Sequence, residues 1–367
     1  MLRRVALVAA ALLAAGHPLT AQNSQFGINT IGSPGRPESV RARSTGGAFA
    51  AFDAMSAVAD VALTDVKRLT ASAVGWSAIR DISPTGGKTQ TLKESRFPLF
   101  TLAGPIGPYM VLGGGFGSYL DHSYDLITRD STLIRGDMVK YVDENIGDGG
   151  VTDVRFALAA KVGPRLAIGL GVHGLTGSDR LTAIRVFDSL SAYAPVRDTN
   201  VVKHTGFGMT ASVRLEPFYG VSLVGFVRSD GKLDVKVNEN PRGTTDLPLT
   251  VGAAVRLILK PGLRVAGSVT RSTWSVVGVD SYNTMDWAVG TELGGAGFAV
   301  RLGARGGQFP FATGGSAPSE IAVSAGLGRT FASGHGVLDF GVERLQRSGT
   351  GLDEGVWTLM TGFTVRQ

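Results

Sequence analysis

The sequence predicts an all-β protein, a 14-stranded antiparallel transmembrane β-barrel with a short N-terminal hatch segment, and three observations carry that reading. From Val66 to Arg366 apolar and polar residues alternate with a period of two, as side chains do on the two faces of a strand. Most of the alternating runs extend over ten to fourteen residues, whereas a strand of a soluble domain has about five or six and a tilted strand crossing a bilayer needs about 9 to 11. The connections alternate strictly between short and long, the asymmetry of a barrel with tight turns at one rim and long loops at the other.

Taken in order, the chain begins with a secretory leader. Arg3 and Arg4 form a positive region, Val5 to Ala15 an unbroken apolar run, and Gly16, His17 and Pro18 break it ahead of Ala21. Residues 1–21 are therefore read as a signal peptide. Residues 22–63 lack the alternation. Gln22 to Ser44 is polar and rich in Gly and Pro, and the small, apolar stretches around Gly46–Met55 and Val58–Leu63 suit one or two short helices. Apolar residues ahead of the first strand need burial, in the lumen or in a periplasmic extension, and the lumen is nearer. The barrel, residues 64–367, has strand candidates near 66–79, 94–103, 108–121, 151–162, 164–176, 204–216 and 219–229, then 247–259, 262–275, 284–294, 297–307, 319–331, 336–347 and 355–366. Turn residues mark the short connections, among them Gly163-Pro164 and Pro261-Gly262. Stretches 80–93, 122–150, 177–203 and 230–246 read as long polar loops.

Pattern alone does not separate this barrel from a secreted β-sandwich, since both carry one apolar face per strand. Composition and length favour the membrane. Of 367 residues 52 are Gly, with 43% hydrophobic, 18% charged and no Cys, which removes disulfide scaffolds, thiolate metal sites and a catalytic thiol. After residue 21 no apolar run reaches the ~18 to 20 residues of a membrane helix. Without Arg3 and Arg4 the 36 Lys and Arg become 34, against 30 Asp and Glu, a net charge of about +4 with no basic stripe. No nucleic-acid partner is expected.

Chemical motifs are few. Gly169-Leu170-Gly171-Val172-His173-Gly174 fits a phosphate-binding glycine pattern but lies within a strand, where glycines leave room for residues of the lumen. His122, His173, His204 and His335 lack metal-ligand spacing, and no G-x-S-x-G elbow is present. Neither metal, cofactor nor enzymatic activity is expected. Asp153, Arg155, Lys161, Arg214, Arg256, Arg264, Asp286, Glu292, Arg301, Arg305, Asp339 and Glu343 fall opposite the apolar face. On the lipid side an Arg near the midplane costs roughly 2 to 4 kcal/mol, so these charges are read as lumenal, bracing the wall in preference to forming a charge-selective pore.

Arg41-Ala42-Arg43-Ser44-Thr45-Gly46-Gly47-Ala48-Phe49, followed by Asp53, Ser56-Ala57 and Ala62-Leu63, resembles the N-terminal hatch signature of FadL-type outer-membrane proteins, the long-chain fatty acid and hydrocarbon transporters. The segments Pro318–Gly328, Gly336–Asp339 and Gly341–Glu343 are similar to the closing strands of that family and its PorV-like relatives. Val58-Ala59-Asp60-Val61-Ala62 stands where the family hatch has Asn-Pro-Ala, and the chain ends in Gln367 instead of an aromatic residue. The resemblance implies a channel in the bacterial outer membrane for hydrophobic small molecules, inserted among outer-membrane lipid by the barrel insertion machinery. Phe49, Phe52 and Met55 are the candidate ligand contacts, with packing against the wall as their alternative role. A PorV-like accessory barrel that binds a protein partner through its outer loops is the second reading, and an outer-membrane enzyme the third.

Overall fold

A computed structural model describes residues 24–28, 30–188, 193–295, 297–312 and 314–367. The signal peptide expected at 1–21 lies outside the described residues. Fourteen strands close on themselves: β1 (Thr70–Pro84), β2 (Gln90–Pro105), β3 (Met110–Asp121), β4 (Asp137–Lys161), β5 (Leu166–Phe187), β6 (Val196–Leu215) and β7 (Val221–Ser229), then β8 (Leu249–Lys260), β9 (Leu263–Ser272), β10 (Thr284–Gly294), β11 (Phe298–Gln308), β12 (Ser319–Phe331), β13 (Gly336–Gly349) and β14 (Leu352–Arg366). Each pairs antiparallel with the next, and β14 returns to β1 from Arg366↔Thr70 to Leu352↔Pro84. Closure pairs the strands with one another around the wall, except along residues 90–98 of β2, which pair with β1 alone. All fourteen strand candidates of the sequence fall on these strands.

The alternation places the side chains as expected. Met285, Trp287, Val289 and Leu293 are exposed on the outer face of β10, while Ala288 and Glu292 between them are buried. Phe156 and Leu158 of β4 point outward, and Asp153 and Arg155 inward. At one rim the turns are tight. Pro261-Gly262 joins β8 to β9 with Gly262 at φ 83°, the positive value that the second central residue of a type II turn needs and that Gly adopts without strain.

The opposite rim departs from expectation. Stretches 122–150, 177–203 and 230–246 are largely strand, not irregular loop. The strand Tyr124–Ile134 pairs with residues 137–147 of β4, β4 with β5 as far as Tyr141↔Phe187, β5 with β6 as far as Arg185↔Val196, and β6 with Lys232–Val237, itself paired with Asn240–Asp246. The 25 residues of β4 extend about 80 Å at about 3.3 Å each, so this sheet stands well beyond the rest of the wall. Both of its faces meet water there, which erases the apolar-polar contrast on which a strand is recognised. Nor is the alternation of connections strict: β13 and β14 meet at the long-loop rim through Thr350-Gly351 alone.

Residues 24–66 are irregular, with one helical turn, Val40–Arg43, and 3-10 turns at Gln25–Gly27, Ala50–Phe52 and Asp60–Asp65. Ser39 caps the helical turn, its Oγ accepting from Ala42 N at 3.1 Å. The segment lies against inward-facing positions of the wall. Val61 N donates to Ser212 Oγ at 2.9 Å and Gly46 N to Ser324 Oγ at 2.9 Å. A Cβ at Gly169 would overlap Val61 N, one at Gly171 would strike Asp60, and one at Gly303 would overlap the backbone of Thr45. The inward glycines thus admit another stretch of backbone, as the sequence reading proposed for Gly169 and Gly171.

Candidate functional site

Ion pairs fasten residues 24–66 to the wall along its height. Near the long-loop rim Ser24 Oγ and Gln25 N donate to Glu354 at 2.9 and 2.8 Å. Arg41 holds Glu292, two residues from the short-turn end of β10, through Nε and Nη2 at 2.7 and 2.8 Å, a two-pronged contact that fits the planar guanidinium to the carboxylate. Glu292 also takes Arg301 and Arg264, and Arg301 reaches Asp339 at 2.6 Å. Arg36 and Arg43 converge on Glu343 at 2.8 and 2.9 Å, with Arg305 at 3.6 Å and also bonded to Glu320. Toward the short-turn rim Arg155 meets Asp60 at 3.4 Å, and Arg214 meets Asp65 at 2.8 Å. The inward charges therefore bond as much to the N-terminal segment as to neighbouring strands. Arg41, Arg36 and Arg43 were not legible as their partners, because they lie some 250 to 300 residues away along the chain.

The three candidate contact residues separate. Phe49 and Phe52 are buried in a cluster with Ala48, Ala51 and Val61 against Ala167, Val224, Ala254, Ala266 and Ala288 of the wall, with the Arg256 guanidinium 4.9 Å from the Phe52 ring centre. Met55 packs elsewhere, beside Leu63, Ala103, Val111, Ala157 and Ala159. Small wall residues accept large side chains from the segment, an exchange of volume that keeps the packing dense.

A cavity of about 430 Å³ lies beside the segment, and none of these three residues lines it. Gly46, Gly47, Ala50 and Ala51 form one flank. Trp76, Phe226, Trp274 and Phe309 contribute aromatic surface, and Thr250, Ser268, Thr270, Ser272 and Thr284 a row of hydroxyls. Trp274 and Phe309 belong to an apolar cluster with Phe26, Ile82, Leu120, Leu175, Leu233, Phe311 and Leu352, contributed by elements on all sides of the long-loop rim. Trp274 packs edge-on to Phe311, ring centres 5.4 Å apart, an arrangement that aromatic quadrupoles favour.

The cavity reaches a seam in the wall. β2 pairs with β3 only from Leu99↔Gly117 to Pro105↔Val111, and residues 90–98 of β2 pair with β1 alone. In their place Ser33-Pro34 pairs with Leu120-Asp121 of β3, and Gly35 N donates to Tyr119 O at 2.8 Å. Pro34, Gly35, Pro98, Ser118 and Tyr119 line the cavity here. On the outer face beside the seam Phe97 is exposed, and the Phe100 and Phe116 rings stack at 5.7 Å.

No family model and no curated protein sequence matches the chain. Solved structures do match. A Pseudomonas aeruginosa FadL homologue superposes with a TM-score of 0.63 at 13% identity, covering 91% of this chain and 99% of that one. CymD, a monoaromatic hydrocarbon channel, gives 0.58 at 12% identity over 93% and 99%. The toluene transporter TodX of Pseudomonas putida gives 0.59 at 11% identity over 91% and 98%. The chain has the fold of the FadL-type outer-membrane barrels.

Within this FadL-type fold the histidines take places that spacing did not reveal. His173 is fully buried, its Nδ1 on Asp153 at 2.9 Å and its Nε2 3.2 Å from Thr210 Oγ1. His122 and His204, 82 positions apart in the sequence, both bond Asp179, at 3.3 and 2.9 Å, and His122 Nε2 meets the Ile28 carbonyl at 3.0 Å. Another tie of the N-terminal segment to the wall results.

Proposed function

We propose that the protein is a bacterial outer-membrane channel for hydrophobic small molecules of the fatty-acid or hydrocarbon class, with residues 24–66 as its hatch, and that it works by binding and passage without catalysis. The observation that carries this reading is the position of the cavity. It lies between the N-terminal segment and the wall and extends to the seam beside β3, where the outer surface is aromatic. A hydrophobic solute gains little from a water-filled pore, and a chamber with aromatic surface that meets a break in the wall offers it a path toward the bilayer interior. The exposed apolar side chains of the fourteen strands suit contact with lipid, and the structural likeness to transporters of hydrophobic molecules agrees with this reading. A strain whose outer membrane carries the protein should take up a labelled alkane faster than the same strain without it. Equal rates, with the barrel shown to be inserted, refute the reading.

A second reading, an accessory barrel for a protein partner, draws on the projecting sheet. Tyr124–Ile134 and Asn240–Asp246 each pair on one side only among the described residues, and Leu133, Met138 and Val196 are exposed there. Open strand edges accept added strands. This reading requires a stable complex that is lost when residues 124–147 are replaced by a short turn.

A further inference from the structure

Resting on the reading of the cavity as the ligand chamber, we propose that it selects hydrophobic molecules bearing a protonated amine over those bearing a carboxylate, with Asp286 as the group that receives the ammonium.

The charges around the cavity are unequal. Eight carboxylates and six guanidiniums line it, an excess of two negative charges. Every one of the six arginines, Arg36, Arg43, Arg80, Arg228, Arg305 and Arg347, stands within ion-pair distance of a carboxylate of the protein itself. An entering carboxylate would have to displace one of these internal partners, losing its own hydration and leaving the displaced acid buried without its cation. No guanidinium of the lining is without an internal carboxylate at ion-pair distance.

Seven of the eight lining carboxylates are likewise paired. Among the described residues Asp286 is the exception, with no Lys, Arg or His nitrogen at ion-pair distance. Its Oδ1 accepts one long hydrogen bond, 3.3 Å, from Gln308 N. The backbone makes a seat for this carboxylate. Pairing between β10 and β11 ends at Trp287↔Gly306, and at the next residue, Gly307, a Cβ would overlap Asp286 Oδ1. Glycine there lets the carboxylate lie against the wall where the ladder stops.

The surroundings complete an ammonium site. Thr270, its neighbour across β9, and Ser272 and Thr284 two pairs further along present hydroxyls at the cavity, and these accept hydrogen bonds as readily as they donate. Trp274 and Phe309 supply aromatic surface, which attracts cations and packs alkyl chains. A protonated amine with an apolar tail thus meets an unneutralised acid, hydroxyl acceptors and an apolar wall, whereas a fatty-acid anion meets an acid of like charge. Selection comes from attraction and repulsion together.

The test uses the full mature protein in a nonionic detergent at pH 7, titrated with decylamine, decanol and decanoate by calorimetry. Decylamine is charged there, as lysine is with a pKa of about 10.4. Decylammonium should bind at least about tenfold more tightly than decanoate, a difference of about 1.4 kcal/mol. Asp286→Asn should abolish that preference. Decanoate binding as tightly as the amine in the parent protein overturns the proposal without recourse to any variant, and so does a preference that persists in Asp286→Asn. If decanol binds and the amine shows no advantage, this inference alone falls. If none of the three probes binds, the transport reading on which it rests falls with it.

Discussion

Glu343 shows how much one inward charge holds. It is buried, accepts from Arg36 and Arg43 at 2.8 and 2.9 Å, and faces Arg305 at 3.6 Å. Removing one member of a buried ionic cluster leaves the others desolvated and uncompensated, at a cost of about 3 to 5 kcal/mol. Glu343→Gln should therefore lower the temperature at which the barrel shifts from its folded to its unfolded mobility on SDS gels. Glu239→Gln, which breaks the exposed pair with Lys203, should leave that temperature unchanged, since exposed pairs contribute little. Equal effects would show that the Glu343 cluster is not load-sharing. The alternation of β13 was enough to read Glu343 as inward; its hydrogen-bonded partners Arg36 and Arg43 come from the N-terminal segment and were not readable from strand periodicity.

At the scale of elements, the strap Ser33–Gly35 is held on the free edge of β3 by backbone hydrogen bonds, and its approach is so close that a Cβ at Gly35 would overlap the Ser118 carbonyl oxygen. Gly35→Val should lift the strap from the seam while the barrel stays closed. Amide exchange of residues 33–35 and 119–121 should then accelerate, with mobility on SDS gels still heat-modifiable. Unaltered exchange would mean that the strap tolerates the added side chain by a shift elsewhere. The strands themselves were legible because each presents one apolar face. The extensions beyond the rim were not, since residues such as Arg185 and Asp143, paired at 2.6 Å, stand in water on both faces of their sheet and leave no contrast to read.

For the whole molecule, closure and obstruction are separable. The wall closes through hydrogen bonds between successive strands, from β1 round to β14, with the Ser33–Gly35 strap beside the seam of β2 and β3, and residues 24–66 otherwise add ion pairs and small-residue contacts to it. Deleting residues 26–60 should leave a barrel that inserts, shows strand-type circular dichroism and passes a larger single-channel current than the parent. The same current from a correctly inserted deletion variant would place the segment outside the conducting path. A helical spectrum, or a protein that stays monomeric in water without detergent, would end the barrel reading altogether.

Two facts about this chain are local, and its sequence determined them: where each of the fourteen wall strands lies below the long-loop rim and which face of it is apolar. Both follow from a periodicity that each stretch carries within itself. Which charges meet, why Phe49 and Phe52 face alanines of the wall, where the cavity lies, and that, among the described residues, Asp286 alone of the carboxylates lining the cavity has no cation at ion-pair distance were decided only by the tertiary structure. These contacts join residues tens to hundreds of positions apart, and they exist only once closure of the barrel fixes the distance across its interior.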